Sequence, residues 1–214
     1  MKITCDKKAD LIPNVSEIIH KDENVCVVDW TVRMLDRARH EACGQCVMCR
    51  DGVAQLHKIV NDATEGKGQS DDISLLNELA AVIRDNASCE MARTAASNLI
   101  YSLENYTEEW DMHIRRKRCP ALVCKSYFSV HIMPETCTGC GDCVSSCPVS
   151  AIKGGEGLIH VIDQEACTRC GICISTCNYD AIKKAGAVKP KTPEEPVPVG
   201  SWEGGGSRRH RRRG

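Results

Sequence analysis

The sequence predicts an α plus α+β chain, in which a small helical bundle precedes an internally duplicated α+β domain. Three observations predict it. Sixteen cysteines stand beside an aromatic content of 4%, with Phe128 the single phenylalanine among 214 residues. Large apolar side chains therefore cannot carry the stability alone, and the cysteines must contribute. Apolar residues in the first half recur every three or four positions, as on the buried face of a helix. In the second half a block of thirty residues recurs with every cysteine in place.

Taken in order, residues 1–25 form a polar lead-in with turn residues Pro13 and Asn14 and a lone Cys5, read as a free thiol. Residues 26–118 read as helical. Val28 and Leu35 mark one helix, and Val53, Leu56 and Val60 a second. Asp71 and Asp72 are candidate N-caps for a third, carrying Ile73, Leu76, Leu79, Ala80 and Ile83. Met91, Ala95, Leu99, Leu103, Tyr106, Trp110 and Ile114 draw one stripe along a longer fourth helix. Four such stripes bury naturally in a bundle. Residues 119–187 hold ten cysteines, with short strands expected at Ser129 to Ile132 and Leu158 to Ile162. Gly154-Gly155-Glu156-Gly157 reads as a hairpin turn. From residue 188 to 214, Pro190, Pro193, Pro196 and Pro198 lead into glycines and arginines, a composition expected to be disordered.

Charge and motif content exclude several function classes. The net charge is −1, but Arg208, Arg209, Arg211, Arg212 and Arg213 crowd the C-terminus and leave an acidic body, unlike a nucleic-acid-binding domain. No apolar stretch is long enough to span a bilayer, and Met1 to Asp10 is charged, so a cytoplasmic, reducing setting is expected. There is no G-x-G-x-x-G phosphate loop. No residue has a recognisable general acid, base or nucleophile role. His20, His40, His57, His131 and His160 have no ligand partners at local spacing and read as surface or structural, and Arg115 to Arg118 read as a solvated helix end.

The cysteines carry the chemistry. Cys137, Cys140, Cys143 and Cys147-Pro148 form C-x2-C-x2-C-x3-C-P, repeated at Cys167, Cys170, Cys173 and Cys177. Three thiolates two residues apart can aim at one cubane, while the fourth reaches the other cluster. One predicted set is Cys137, Cys140, Cys143 and Cys177; the other is Cys167, Cys170, Cys173 and Cys147. Over residues 126–186 this resembles the bacterial dicluster ferredoxins, with Asn178 where that family usually has proline.

A second constellation, Cys43, Cys46 and Cys49 followed forty residues later by Cys89, lies in Glu41-Ala42-Cys43-Gly44-Gln45-Cys46-Val47-Met48-Cys49-Arg50-Asp51-Gly52. It resembles the cluster-binding C-terminal domain of the NADH-oxidising flavoprotein subunit of respiratory complex I. Ala42 and Met48 replace that family's serine and proline, and Glu90-Met91-Ala92 lacks its glycine. The resemblance implies one [4Fe–4S] cluster on Cys43, Cys46, Cys49 and Cys89. The order of parts is similar to the C-terminal portion of the flavin-bearing beta subunit of electron-bifurcating hydrogenases and NAD-linked formate dehydrogenases, without their flavin and NADH domain.

The function expected is a one-electron relay through three [4Fe–4S] clusters in a larger flavin-based, electron-bifurcating oxidoreductase. A flavoprotein, other oxidoreductase subunits and a soluble ferredoxin are the expected partners in a hetero-oligomer. The alternatives are a flavin-binding catalytic subunit and an iron–sulfur redox-sensing or assembly protein. Of the cysteines left over, Cys119 and Cys124 flank Pro120, and His113 precedes them. With Cys26 they make a Cys3His set of the kind that holds structural zinc, and some bifurcating hydrogenase subunits carry such a site. The competing reading is small buried hydrophobes. Gly139 and Asp142 of the first loop become Arg169 and Ile172 in the second, which predicts a higher potential for the cluster of the second loop.

Overall fold

The computed structural model describes residues 25–204. The turn at Pro13-Asn14, Cys5, His20 and the arginine run lie outside the described residues. The chain divides into two units between Tyr127 and Phe128, so Cys119 and Cys124 belong with the helices rather than with the duplicated domain.

The first unit contains α1 (Val27–Glu41), a π-helical turn (Met48–Gly52) continuing into α2 (Val53–Thr64), α3 (Asp72–Asn86), α4 (Glu90–Asn105) and α5 (Thr107–Ile114). The apolar stripes do what their spacing requires. Val28 and Leu35, Leu56 and Val60, Leu76, Ala80 and Ile83, and Met91, Ala95 and Leu99 are all buried in one core. Close approach is helped by Gly52, where an added Cβ would lie 2.9 Å from Ile83 Cδ1. Asp71 does not cap α3 with its side chain. Asp72 does the local work instead, its carboxylate accepting from the Gln69 N–H at 2.7 Å.

The single long helix expected from Met91 to Ile114 is two helices. Tyr106 leaves helical geometry at φ −125° and ψ 38°. The Thr107 hydroxyl donates to the Leu103 carbonyl at 3.0 Å, offering the backbone a local alternative to continued helix. The break turns α5 while keeping Trp110 and Ile114 in the core.

The second unit is built on the duplication. β1 (Ser129–Ile132) pairs antiparallel with β5 (Ile182–Ala185), Ile132 opposite Ile182. β2 (Ile152–Lys153) pairs with β4 (Val161–Ile162). Short helices α6 (Asp142–Ser145) and α7 (Ile172–Thr176) each follow a left-handed glycine, Gly141 and Gly171, both at φ 84°. The strand expected over Leu158 to Ile162 is interrupted at His160. β3 (Leu158–Ile159) pairs instead with β6 (Val197–Pro198). That segment was expected to be disordered, but Val197 and Pro198 find an open strand edge, and Pro is tolerated at such an edge.

Candidate metal and cluster sites

In the first unit α1, α5 and the following loop bring four side chains to one point. Cys26, His113, Cys119 and Cys124 are all buried, and their ligand atoms lie within 4.8 Å of one another. Cys26 Sγ is 3.2 Å from His113 Nε2 and 3.7 Å from Cys124 Sγ, which is 3.5 Å from the same nitrogen. A tetrahedral ion with Zn–S and Zn–N bonds of about 2.3 and 2.1 Å separates S from S by about 3.8 Å and S from N by about 3.6 Å. The donor set therefore fits such an ion in both chemistry and spacing.

The surroundings aim these ligands. His113 Nδ1 lies 2.8 Å from the Glu109 carbonyl; with the proton on Nδ1, the Nε2 lone pair faces the sulfurs. The Glu109 carboxylate accepts the Val27 N–H at 2.8 Å, tying the start of α1 to α5. Tyr127 donates its hydroxyl to the His113 carbonyl at 3.0 Å and to the Ala63 carbonyl, with its ring edge-on to the imidazole. Hydrogen bonds from Cys124 and Cys26 push the Cys119 thiol well below the usual thiol range. Bonding to Cys119 and Cys124, with burial, pushes Cys26 up.

The second gathering in this unit is at Cys43, Cys49 and Cys89, again within 4.8 Å. Cys43 and Cys49 sulfurs are 3.8 Å apart. Cys49 sits on the π-helical turn, a distortion frequent at functional sites, and Cys89 is the extended residue that opens α4. Burial and the neighbouring sulfurs push the Cys49 thiol up to about 12. Cys46 is outside the 4.8 Å group. Although burial opposes it, backbone hydrogen bonds from Cys49, Ser88 and Cys89 lower its pKa, which places its sulfur against the residues that present Cys89.

The second unit holds two small cavities of similar build. One is lined by Cys137, Cys140, Cys143 and Cys177; the other by Cys167, Cys170, Cys173 and Cys147. Each combines three cysteines of one loop with the last cysteine of the other. Electrostatics repeat the grouping. Burial, then Cys137, Cys140 and Cys177, raises Cys143 to about 11; burial, then Cys167, Cys170 and Cys147, raises Cys173. Asp142 lies on the first cavity and Arg169 on the second. No disulfide occurs among the described residues, and no described helix is long and apolar enough to cross a membrane.

His160, read from sequence as structural, also lines the first cavity, with Nδ1 3.7 Å from Cys137 Sγ. A search for metal-ligand spacing does not find it. The repeat does carry a signal, because His160 falls where the first copy has Val130.

Residues 29–113 match the NADH-ubiquinone oxidoreductase-F iron-sulfur binding region, and residues 136–182 a 4Fe-4S dicluster domain. The chain is 36% identical over 133 residues to the NADP-reducing hydrogenase subunit HndC of Solidesulfovibrio fructosivorans, covering 62% of this chain and 27% of that protein. It is 37% identical over 99 residues to an NADH-quinone oxidoreductase subunit of Streptomyces coelicolor, covering 46% and 22%. Over 68 residues it is 32% identical to the NADP(+)-dependent formate dehydrogenase subunit beta of Moorella thermoacetica, covering 32% and 10%. The chain thus spans about a quarter or less of these relatives' length. It carries, in sequence order, an iron–sulfur binding region of the NADH-ubiquinone oxidoreductase-F kind and a 4Fe-4S dicluster domain.

Proposed function

We propose that this chain is a one-electron relay with three [4Fe–4S] clusters and one structural zinc, working inside a larger flavin-based oxidoreductase. The observation that carries the reading is the crossed lining of the two cavities, where each set of four cysteines draws on both loops. The crossed pattern is what paired cubanes need. Cys137, Cys140, Cys143 and Cys177 would hold one cluster, and Cys167, Cys170, Cys173 and Cys147 its mate. Cys43, Cys46, Cys49 and Cys89 would hold the third. When bound, these groups store and pass single electrons. The protein's part is to fix their ligands, bury them and set the charge around them.

Cys26, His113, Cys119 and Cys124 would hold zinc, closed and redox-silent. With every protein ligand position filled, such a site ties α1 to α5 and the loop after it rather than doing chemistry. Relatives named as subunits of a hydrogenase, a quinone oxidoreductase and a formate dehydrogenase support assembly with other subunits; in this reading a flavoprotein and a soluble ferredoxin are the partners. Bifurcation and a cytoplasmic setting belong to the same reading.

Iron, sulfide and zinc analysis of anaerobically purified protein tests it. Three clusters require about twelve irons, beside about one zinc. Cys43→Ala should remove about a third of the iron, and Cys124→Ser should remove the zinc while the iron holds. About eight irons, untouched by Cys43→Ala, would eliminate the cluster of the first unit. Zinc absent from the wild type would leave the Cys3His set as core packing.

A further inference from the structure

The two cavities of the second unit match wall by wall under the thirty-residue repeat. Ile132 corresponds to Ile162, Thr138 to Thr168, and Ile182 to Ile152. At the exposed rim Tyr179 stands where the other copy has Val149. Beyond the charged positions already noted, Arg169 on one cavity and Asp142 on the other, the match among the buried lining side chains breaks in chemical kind at one pair. Val130 lines the cavity of Cys167, and His160 that of Cys137.

His160 is 2% exposed. Its Nδ1 faces Cys137 Sγ at 3.7 Å, and its Nε2 is buried with no hydrogen-bond partner among the described residues. A neutral imidazole carries one N–H, on one ring nitrogen or the other. On Nε2 that proton would be a buried donor with nothing to accept it, an expensive arrangement. On Nδ1 it points at sulfur. The chain also makes room for the ring: a Cβ at Gly154, where φ is +150°, would lie 2.1 Å from His160 Cδ2.

We propose that His160 donates its Nδ1–H to the Cys137 sulfur and thereby raises the reduction potential of the cluster held by Cys137, Cys140, Cys143 and Cys177. The inference rests on the cluster assignment above and adds a tuning residue to it. Reduction adds one electron to the cluster and its sulfurs, and no proton moves. A donor aimed at a ligand sulfur stabilises the more negative, reduced form more than the oxidised one. The equivalent cluster, with Val130 on its wall, has no such donor at that position.

The test is a redox titration followed by electron paramagnetic resonance on the full chain with clusters loaded. It compares wild type with His160→Val, which copies the other cavity, and His160→Asn, whose amide N–H can replace Nδ1–H. In His160→Val one couple of the second unit should lose about tenfold in its reduction equilibrium, or 59 mV for one electron. The other couple should stay in place, and His160→Asn should recover most of the loss. An unmoved couple in iron-replete His160→Val overturns the proposal. So does a fall in His160→Asn as large as in His160→Val, because ring packing would then be the cause. If His160→Val does not load, His160→Asn alone decides: a potential near wild type supports the donor and a full fall overturns it. A wild-type second unit holding fewer than about eight irons instead defeats the cluster assignment itself.

Discussion

Tyr127 links two parts of the helical unit through one hydroxyl. It donates to the carbonyl of Ala63 at the end of α2 and to that of His113 on α5, the latter at 3.0 Å. Burial pushes its pKa up to about 12, so it remains a donor at any working pH. Tyr127→Phe keeps the ring and removes the proton, leaving two carbonyls short of a partner at a cost of about 1–2 kcal/mol. In a unit of this size that lowers the melting temperature by about 5–10 °C. Tyr127→Leu also removes the edge-on contact with His113, where the ring centroids are 5.5 Å apart and the planes 79°. That contact contributes a further ~0.5–1.5 kcal/mol. It also braces a proposed zinc ligand, and outer-shell partners commonly change metal affinity by about 10–100-fold. Thermal unfolding followed by helical circular dichroism, with zinc retention measured against a weak chelator, separates the two effects. Tyr127→Phe should melt earlier but keep its zinc; Tyr127→Leu should melt earlier still and release it. If Tyr127→Phe melts with wild type, the hydroxyl does not hold α2 to α5.

Other outcomes follow from the same geometry. Gly52→Ala puts a Cβ 2.9 Å from Ile83 Cδ1 and should destabilise the first unit by about 1–3 kcal/mol. Adding Ile83→Val, which removes that methyl, should recover part of the loss, and a purely additive double mutant would place the strain elsewhere. Arg169→Gly should lower the potential of the Cys167 cluster by a few tens of millivolts, since a charge at roughly 8 Å and effective dielectric ~20 contributes on the order of 2 kcal/mol before screening. Arg169 sits at φ 55° where the first repeat has Gly139 at φ 71°, so glycine suits the backbone and a potential that does not fall would count against the charge. Stripping iron from the protein should abolish the folded signal of the second unit while α1 to α5 persist, which hydrogen exchange can follow segment by segment.

Which sulfurs share a cavity was legible in the sequence because the information is local and duplicated. Three cysteines at x2 spacing leave a short loop few ways to point, and the repeat supplies the partner loop. Much of the helical core was legible for a similar reason, since burial follows the apolar stripe. The break at Tyr106 was not. Leu103, Tyr106 and Trp110 are spaced by three and four, so the stripe stays in phase across a bend and cannot report it. The pairing of Val197–Pro198 with Leu158–Ile159 escaped a reading by composition, because a proline-rich segment needs only one open strand edge to become ordered. The strand break at His160 has the same origin: the residues on its two sides pair with different strands, and periodicity carries no record of partners. The Cys26–His113–Cys119–Cys124 set was named from the cysteines left over rather than from spacing. Cys119 and Cys124 stand close in sequence, but Cys26 lies 98 residues from Cys124 and meets it through packing alone.

The two units differ in what can hold them. The first buries Leu35, Leu56, Leu76, Ile83, Met91, Leu99, Trp110 and Ile114 at 1% exposure or less. Those side chains sit on five helices that pack on one another. Here Cys26, Cys119 and Cys124 count among the core residues, so a metal held there would add to an apolar core rather than replace one. The second unit buries Val130, Ile132, Ile152, Ile159, Ile162 and Ile182, with Phe128 the one buried phenyl or indole side chain among its described residues, and four of its six strands are two residues long. A core of that size falls below what a small domain needs to fold unaided, and such domains are usually stapled by metal or disulfide. Its cysteines form no disulfide and converge on two cavities that its strands and short helices surround. Ligand binding there is therefore folding free energy. The low aromatic content has a structural meaning: in this half of the chain, cysteines gathered as for iron stand where a packed core stands in the other.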